Sequence, residues 1–301
     1  MRNFLRVAFA AASVLAAQAA WPAANAPAGL VERASGSKAT LAADGVVRIG
    51  WPRDDVPVRV DGVPLPPAAG LGSWAAFRPG PRGAILMGDT VVFQDEVDAA
   101  MDAAFAGGLE VTALHNHFFH DEPRVYFLHI AGHGDLRALA AGVKAVWDAI
   151  KQVRAAHAMP DAGPAGAGPA AGRIDSREIE AVTGLKAAVI SDSVVKVSAG
   201  RHVFMHGVRS GESMGVNTWA AFVGGEEDAV IDGDFAMTAA EVTPVLKQLR
   251  ARDLHIVALH NHMIGESPRI FFTHFWGRGR VSVLAGAFRA ALDAQRNTGR
   301  R

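Results

Sequence analysis

An α+β chain made by tandem duplication is what this sequence predicts, and three observations carry the prediction. A block of residues recurs at one fixed spacing, each copy alternates β-rich runs with helically spaced apolar runs, and a stretch of Ala, Gly and Pro separates the copies. Each copy is expected to form an antiparallel sheet with two helices, and the two copies to pack as a pseudo-twofold pair.

The repeat is set by the stretches ALHNHFFHDEPRVYFLHIAG, from Ala113, and ALHNHMIGESPRIFFTHFWG, from Ala258, which lie 258 − 113 = 145 residues apart. The same offset carries Trp74 to Trp219, Phe77 to Phe222, Asp89 to Asp234, Glu96 to Glu241, Pro123-Arg124 to Pro268-Arg269, and Leu139 to Leu284. Upstream the copies continue to match with a small change of length: residues 35–39 (SGSKA) resemble residues 183–187 (TGLKA), and Val46-Val47-Arg48-Ile49 resembles Val194-Val195-Lys196-Val197.

Residues 1–26 begin with Arg2 and Arg6, continue through an apolar stretch and end on Ala24-Asn25-Ala26, the order of a secretory signal peptide. Its removal leaves 28 basic and 30 acidic residues, a formal charge of −2. The first repeat is assigned to residues 27–157, the linker to 158–172 and the second repeat to 173–301. The linker's Ala, Gly and Pro have almost nothing to bury.

Within the copies, apolar spacing predicts helices over Asp95 to Gly107 and Thr238 to Arg252, and Thr238 with Glu241 has the form of a capping box. The segments 110–119 and 124–130 are β-rich and are separated by the turn residues His120-Asp121-Glu122-Pro123, so an antiparallel hairpin is expected, returning about Pro123. Helix returns over Asp135 to Val153 and Val281 to Arg296.

Composition excludes some functions. Lys+Arg and Asp+Glu stand at 30 each and no basic run stands out, so nothing marks the chain for nucleic acid or an anionic membrane. No stable membrane span is expected once the leader is removed. There is no cysteine, so an exported chain relies on its core or on metal rather than on disulfides.

His115, His117 and His129 recur as His260, His262 and His274. In a strand His115 and His117 share a face, and a return about Pro123 places His129 opposite His117. Three convergent imidazoles suit a metal with an open fourth position, zinc in preference to copper or iron. Asp121, Glu122 and Glu266, in the connecting turns, are candidates for a fourth ligand or a general base. Arg124 and Arg269 are candidates for gripping a carboxylate or phosphate, against the simpler expectation of an ion pair with Glu122 or Glu266. Asn116 and Asn261 read as supporting amides facing the other way, and Trp74 and Trp219 as core anchors. His157, His202, His206 and His255 have no counterpart at this offset and carry no assigned role.

The doubled ALHNH…PR…H…G blocks, the leader and the linker resemble the LppY/LpqO family of exported bacterial proteins, a domain of unknown function, over residues 30–153 and 173–296. The resemblance implies a periplasmic or secreted protein and supplies no activity. The cysteine needed for lipid anchoring of the named members is missing here. The His-x-His pair with a third histidine is also similar to the zinc site of acetolactate decarboxylase, with one more intervening residue in this chain.

These readings lead to an exported metal-binding protein with a three-histidine site, extending to a metal-dependent lyase or hydrolase of a small carboxylated molecule. Two alternatives stand beside it: a non-catalytic metal carrier, and an envelope module that binds a glycan or peptide and keeps its histidines for structure. The expected partner is a small-molecule or envelope ligand, and the sequence leaves the oligomeric state open.

Overall fold

The computed structural model describes residues 26–80, 83–161, 168–169 and 172–298. The expected signal peptide lies outside the described residues apart from Ala26, and so does the middle of the expected linker. The first copy runs α1 (Ala26–Ser35), β1 (Thr40–Leu41), β2 (Val47–Pro52), β3 (Arg59–Val60), β4 (Val63–Pro64), β5 (Gly72–Gly80), β6 (Gly83–Phe93), α2 (Val97–Ala106), β7 (Glu110–His115), β8 (Asp121–Glu122), β9 (Val125–Gly134) and α3 (Leu136–Ala156). The second runs α4 (Ser176–Thr183), β10 (Ala187–Ser191), β11 (Val194–Gly200), β12 (Val203–Met205), β13 (Val208–Ser210), β14 (Asn217–Gly224), β15 (Ala229–Met237), α5 (Ala239–Arg250), β16 (His255–His260), β17 (Phe271–Gly279) and α6 (Val281–Thr298). The chain is thus α+β, and each copy has one helix more than the sequence pattern shows.

The copies do not keep separate sheets. Twelve strands join in the order β1-β2-β5-β6-β9-β7-β16-β17-β15-β14-β11-β10, which reads as one copy's order followed by its reverse. The seam is the antiparallel contact of β7 with β16, where Leu114 pairs with Leu259. Beside it Arg250 of α5 grips Asp102 of α2 through Nε and Nη2, at 3.0 and 2.9 Å, and Asp98 through Nη1 at 3.0 Å.

One hydrophobic core serves both copies. Val31, Met101, Val143, Trp147, Ile179, Leu246 and Phe288, one or more from each helix, pack against Leu114, Leu128, Ile130, Phe235, Leu259 and Phe275 of the sheet. Helices therefore cover one sheet face. Because strand residues alternate, the core positions decide what the opposite face carries. Leu128 and Ile130 point to the helices, so His129 between them points away. The same parity turns His115, Asp234, His260 and His274 to the open face.

Two small clusters cover part of that open face. One contains Val58, Leu71, Val91, Val125 and Phe127, and the other Val203, Val216, Ala236, Ile270 and Phe272. Each copy also places an ion pair at the amino-terminal end of a helix, α2 or α5. Arg53 meets Glu96 with two contacts of 2.8 Å, and Arg201 meets Glu241 through Nη1 and Nη2. Glu241 additionally accepts from the Thr238 N–H at 2.7 Å, the capping box expected there.

Candidate metal centre

The hairpin does not return about Pro123. His115 pairs with Phe127 and Ala113 with His129, so the register centres on residue 121, from (115 + 127)/2. In the second copy His260 pairs with Phe272, which centres on residue 266. His129 is therefore diagonal to His115 and is not opposite His117, where a return about Pro123 would have placed it. β7 and β16 stop at their first site histidine, and the register shifts between Val111 and Ala113 and between Ile256 and Ala258 lie at the strand ends away from the turn, where each changes the centre by only half a residue.

His117 and His262 thus leave the strands and fold back over the sheet. His117 stacks on Phe127 with ring centroids 3.4 Å apart, and His262 on Phe272 at 3.5 Å. Asn116 and Asn261 shape these turns by donating an amide N–H to the carbonyls of Phe118 and Met263, each at 2.9 Å. The three rings still converge. His115 lies 5.0 Å from His129 and 5.2 Å from His117 between centroids, and His260 lies 4.9 Å from His274 and 5.1 Å from His262.

A carboxylate joins each set from the neighbouring strand. Asp89 pairs directly with His129 and Asp234 with His274. In the second copy Asp234, His260 and His274 each present a ligand atom, and all three atoms lie within 4.8 Å of one another, a group that could hold a metal ion. His262 Nε2 stands 3.3 Å from Asp234 Oδ2. In the first copy His129 Nε2 is 3.8 Å from Asp89 Oδ1.

Each group leaves polar atoms of its donors unpartnered. Asp89 Oδ1, Asp234 Oδ1 and His260 Nδ1 are buried without a hydrogen bond among the described residues, a costly state for a polar atom unless something else is bound there. Burial lowers His260 to about 4, and the nearby His274 and His262 act in the same direction. Burial also lowers His117 and His129. It raises Asp89 and Asp234, while the surrounding histidines pull both back. A lowered imidazole is neutral near pH 7, which is the form that ligates.

The remaining candidates are placed as follows. Asp121 and Glu266 are buried at the turn centres, where the N–H groups of Val125 and Ile270 donate to them at 2.6 and 3.0 Å. Glu122 is exposed on β8, paired with Arg59. Arg124 and Arg269 are exposed and form no ion pair among the described residues, so the expected pairing with Glu122 or Glu266 is absent. Arg124 lines a cleft of about 440 Å³ with Gln94, His120 and Asp121; Arg269 lines one of about 380 Å³ with His260 and Glu266.

Trp74 and Trp219 are not core anchors. They lie half-buried on the open face, paired in register with Asp89 and Asp234, under the cations of Arg48 and Lys196. Asp89 and Asp234 were visible in the sequence only as members of the repeat. Their signal was an acid kept at the same place in two mainly apolar strands, whereas Asp232 of β15 has Met87 as its counterpart. His255, left without a role, meets Asp98 across the seam.

Residues 30–149 and again 177–294 match a family model described as Domain of Unknown Function (DUF1259). No curated protein matches the chain. Among solved structures it is similar to the trimeric bacterial microcompartment shell protein PduB, at 11% identity and a TM-score of 0.19, over 86% of this chain and 89% of that one. EtuB from Clostridium kluyveri gives 12% identity and a TM-score of 0.19, over 86% of this chain and 92% of that one. At such scores neither likeness carries an argument about fold or function.

Proposed function

The chain belongs to the family described as Domain of Unknown Function (DUF1259), with two copies of its domain, and from that premise we propose that it is an exported metal-binding protein. The observation that carries the reading is the Asp234, His260 and His274 group, whose ligand atoms lie within 4.8 Å of one another. Nitrogen and carboxylate donors in that ratio suit zinc, with His262 beside Asp234 as an additional nitrogen. Asp89, His115, His117 and His129 form the corresponding, more open group of the first copy. The mirrored strand order supports a pseudo-twofold relation between the copies, and the doubled blocks and amino-terminal pattern support the LppY/LpqO relationship and a periplasmic or secreted location.

Zinc bound there would polarise a carbonyl or activate water, the chemistry of a lyase or hydrolase. This chain's own contribution is to keep His260 neutral, to exclude water from Asp234 and to hold Arg269 unpaired near His260 for a small carboxylated molecule. Metal content of full-length, untagged protein, purified without added metal, tests the reading. Stoichiometric zinc that is lost in Asp234→Asn is the expected result. A metal-free protein that also fails to take up zinc would leave the histidines a structural role.

A further inference from the structure

The cleft of about 380 Å³ at the end of β16 is lined by Thr112, Leu259, His260, Met263, Glu266, Arg269 and Phe271, among others. Its acid is unusual. Glu266 is only 6% exposed, and of its two oxygens Oε1 accepts the Ile270 N–H at 3.0 Å while Oε2 is buried with no partner among the described residues. A buried acceptor without a donor is unfavourable, so the cleft is incomplete until a donor arrives. Arg269 lines the same cleft and is paired with neither Glu266 nor any other described acid. The cavity therefore offers one carboxylate and one guanidinium that do not satisfy each other, beside the apolar residues Met263, Ile264 and Phe271.

We propose that this cleft binds a free α-amino acid with an apolar side chain, its ammonium donating to Glu266 Oε2 and its carboxylate held by Arg269. A small zwitterion supplies both missing charges from adjacent atoms, and charge-assisted hydrogen bonds of this kind are the stronger ones. The apolar walls take the side chain, and the volume lies within the range of small-molecule sites. The first copy does not build the same cavity. There the acid is the shorter Asp121, and Pro160 and Asp161 of the segment after α3 line the cleft beside Arg124. The assignment deepens the metal-centre reading, because His260 belongs to both sites, but the amino acid contacts named here involve no metal.

Calorimetric titration of the full-length protein with L-leucine tests it, with 4-methylpentanoate and 3-methylbutylamine as probes lacking one charge each. Saturable binding of leucine is expected, at least roughly tenfold tighter than either probe, and weakened at least roughly tenfold by Arg269→Met. Glu266→Gln keeps an acceptor for Ile270 and places an amide where the orphan oxygen was, so it should fold and still lose leucine. Circular dichroism confirms the fold of both variants. Absence of saturable leucine binding to both zinc-loaded and chelator-treated protein overturns the proposal, as does equal binding of the three probes. Zinc content measured on the same samples separates the two readings: zinc without leucine binding removes this inference alone, and leucine binding without zinc removes the metal centre and leaves this inference standing.

Discussion

Leu114 pairs with Leu259, its own counterpart 145 residues further along the chain. A residue that meets its copy in this way makes two sheets into one, and it puts both histidine groups on the same open face. The seam also brings together side chains that the repeat alone does not explain, and the most exposed of these is a titrating one.

His255 and Asp98 form an ion pair across the seam, next to the Arg250 contacts. The hydrogen bond to Asp98 is the largest influence on His255 and raises it above 6.5. For a group raised on folding, the stabilisation is fully present below the unfolded value and is lost as pH rises through the folded one. Wild-type protein should therefore lose stability relative to His255→Gln as pH rises from about 6 to 8. The His255 side chain is 58% exposed, so after screening the effect is about 0.3–1 kcal/mol, or roughly 1–3 °C in Tm. Parallel melting curves for the two proteins across this range would show no divergence if the pair were immaterial.

Glu96 and Arg53 are both fully buried, whereas the Arg201 side chain that meets Glu241 is 26% exposed. Removing Arg53 takes two contacts from a carboxylate that solvent does not reach, leaving Glu96 only Arg154 Nε at 2.7 Å and the Phe93 N–H at 2.8 Å. Arg53→Met should cost about 3–5 kcal/mol. Arg201→Met should cost visibly less, because water reaches its pair. Thermal denaturation of the two variants ranks them, and equal losses would contradict the burial argument.

The sequence made the repeat, the α+β class and the long helices legible because these depend on local periodicity. It did not reveal α1 or α4, or the fusion of the copies through β7 and β16, which depends on how two edges meet. The histidines were legible as a set, but their pairing was not. The pairing of His115 with Phe127 centres the hairpin on Asp121 rather than Pro123, and β7 ends at His115, so His117 lies beyond the strand. The place of Asp89 and Asp234 in the site is not local either: the strands that present them are distant in sequence from the histidines, and only the sheet order brings β6 beside β9 and β15 beside β17.

Gly233 precedes the site acid and packs where no side chain fits. A Cβ there would stand 2.3 Å from Phe275 Cζ and 2.5 Å from the Trp219 carbonyl oxygen. Gly233→Ala should therefore cost about 1–3 kcal/mol through overpacking. It should also weaken zinc binding by moving Asp234, which a melting curve and a zinc titration together would reveal. Full stability with unchanged zinc affinity would mean that the sheet absorbs the methyl group freely.

The two copies should differ as metal sites. Asp234 is 1% exposed, and its group with His260 and His274 has ligand atoms within 4.8 Å of one another. Asp89 is less buried, with its side chain 13% exposed, and His129 Nε2 stands 3.8 Å from its Oδ1. A tighter, drier set of donors holds zinc more firmly, so the second copy should fill first in a titration of chelator-treated protein. Asp234→Asn and His260→Ala should each lower affinity for the first equivalent by at least roughly tenfold, the scale expected when a ligand or its support is lost. His262→Ala should do less, because its ring rests on Phe272 and it stands outside the three-residue group. Asp89→Asn should leave the first equivalent unchanged and affect only a second, weaker one. If Asp89→Asn instead removes the tight equivalent while Asp234→Asn spares it, the first copy is the metal centre and the compact geometry of the second serves the fold.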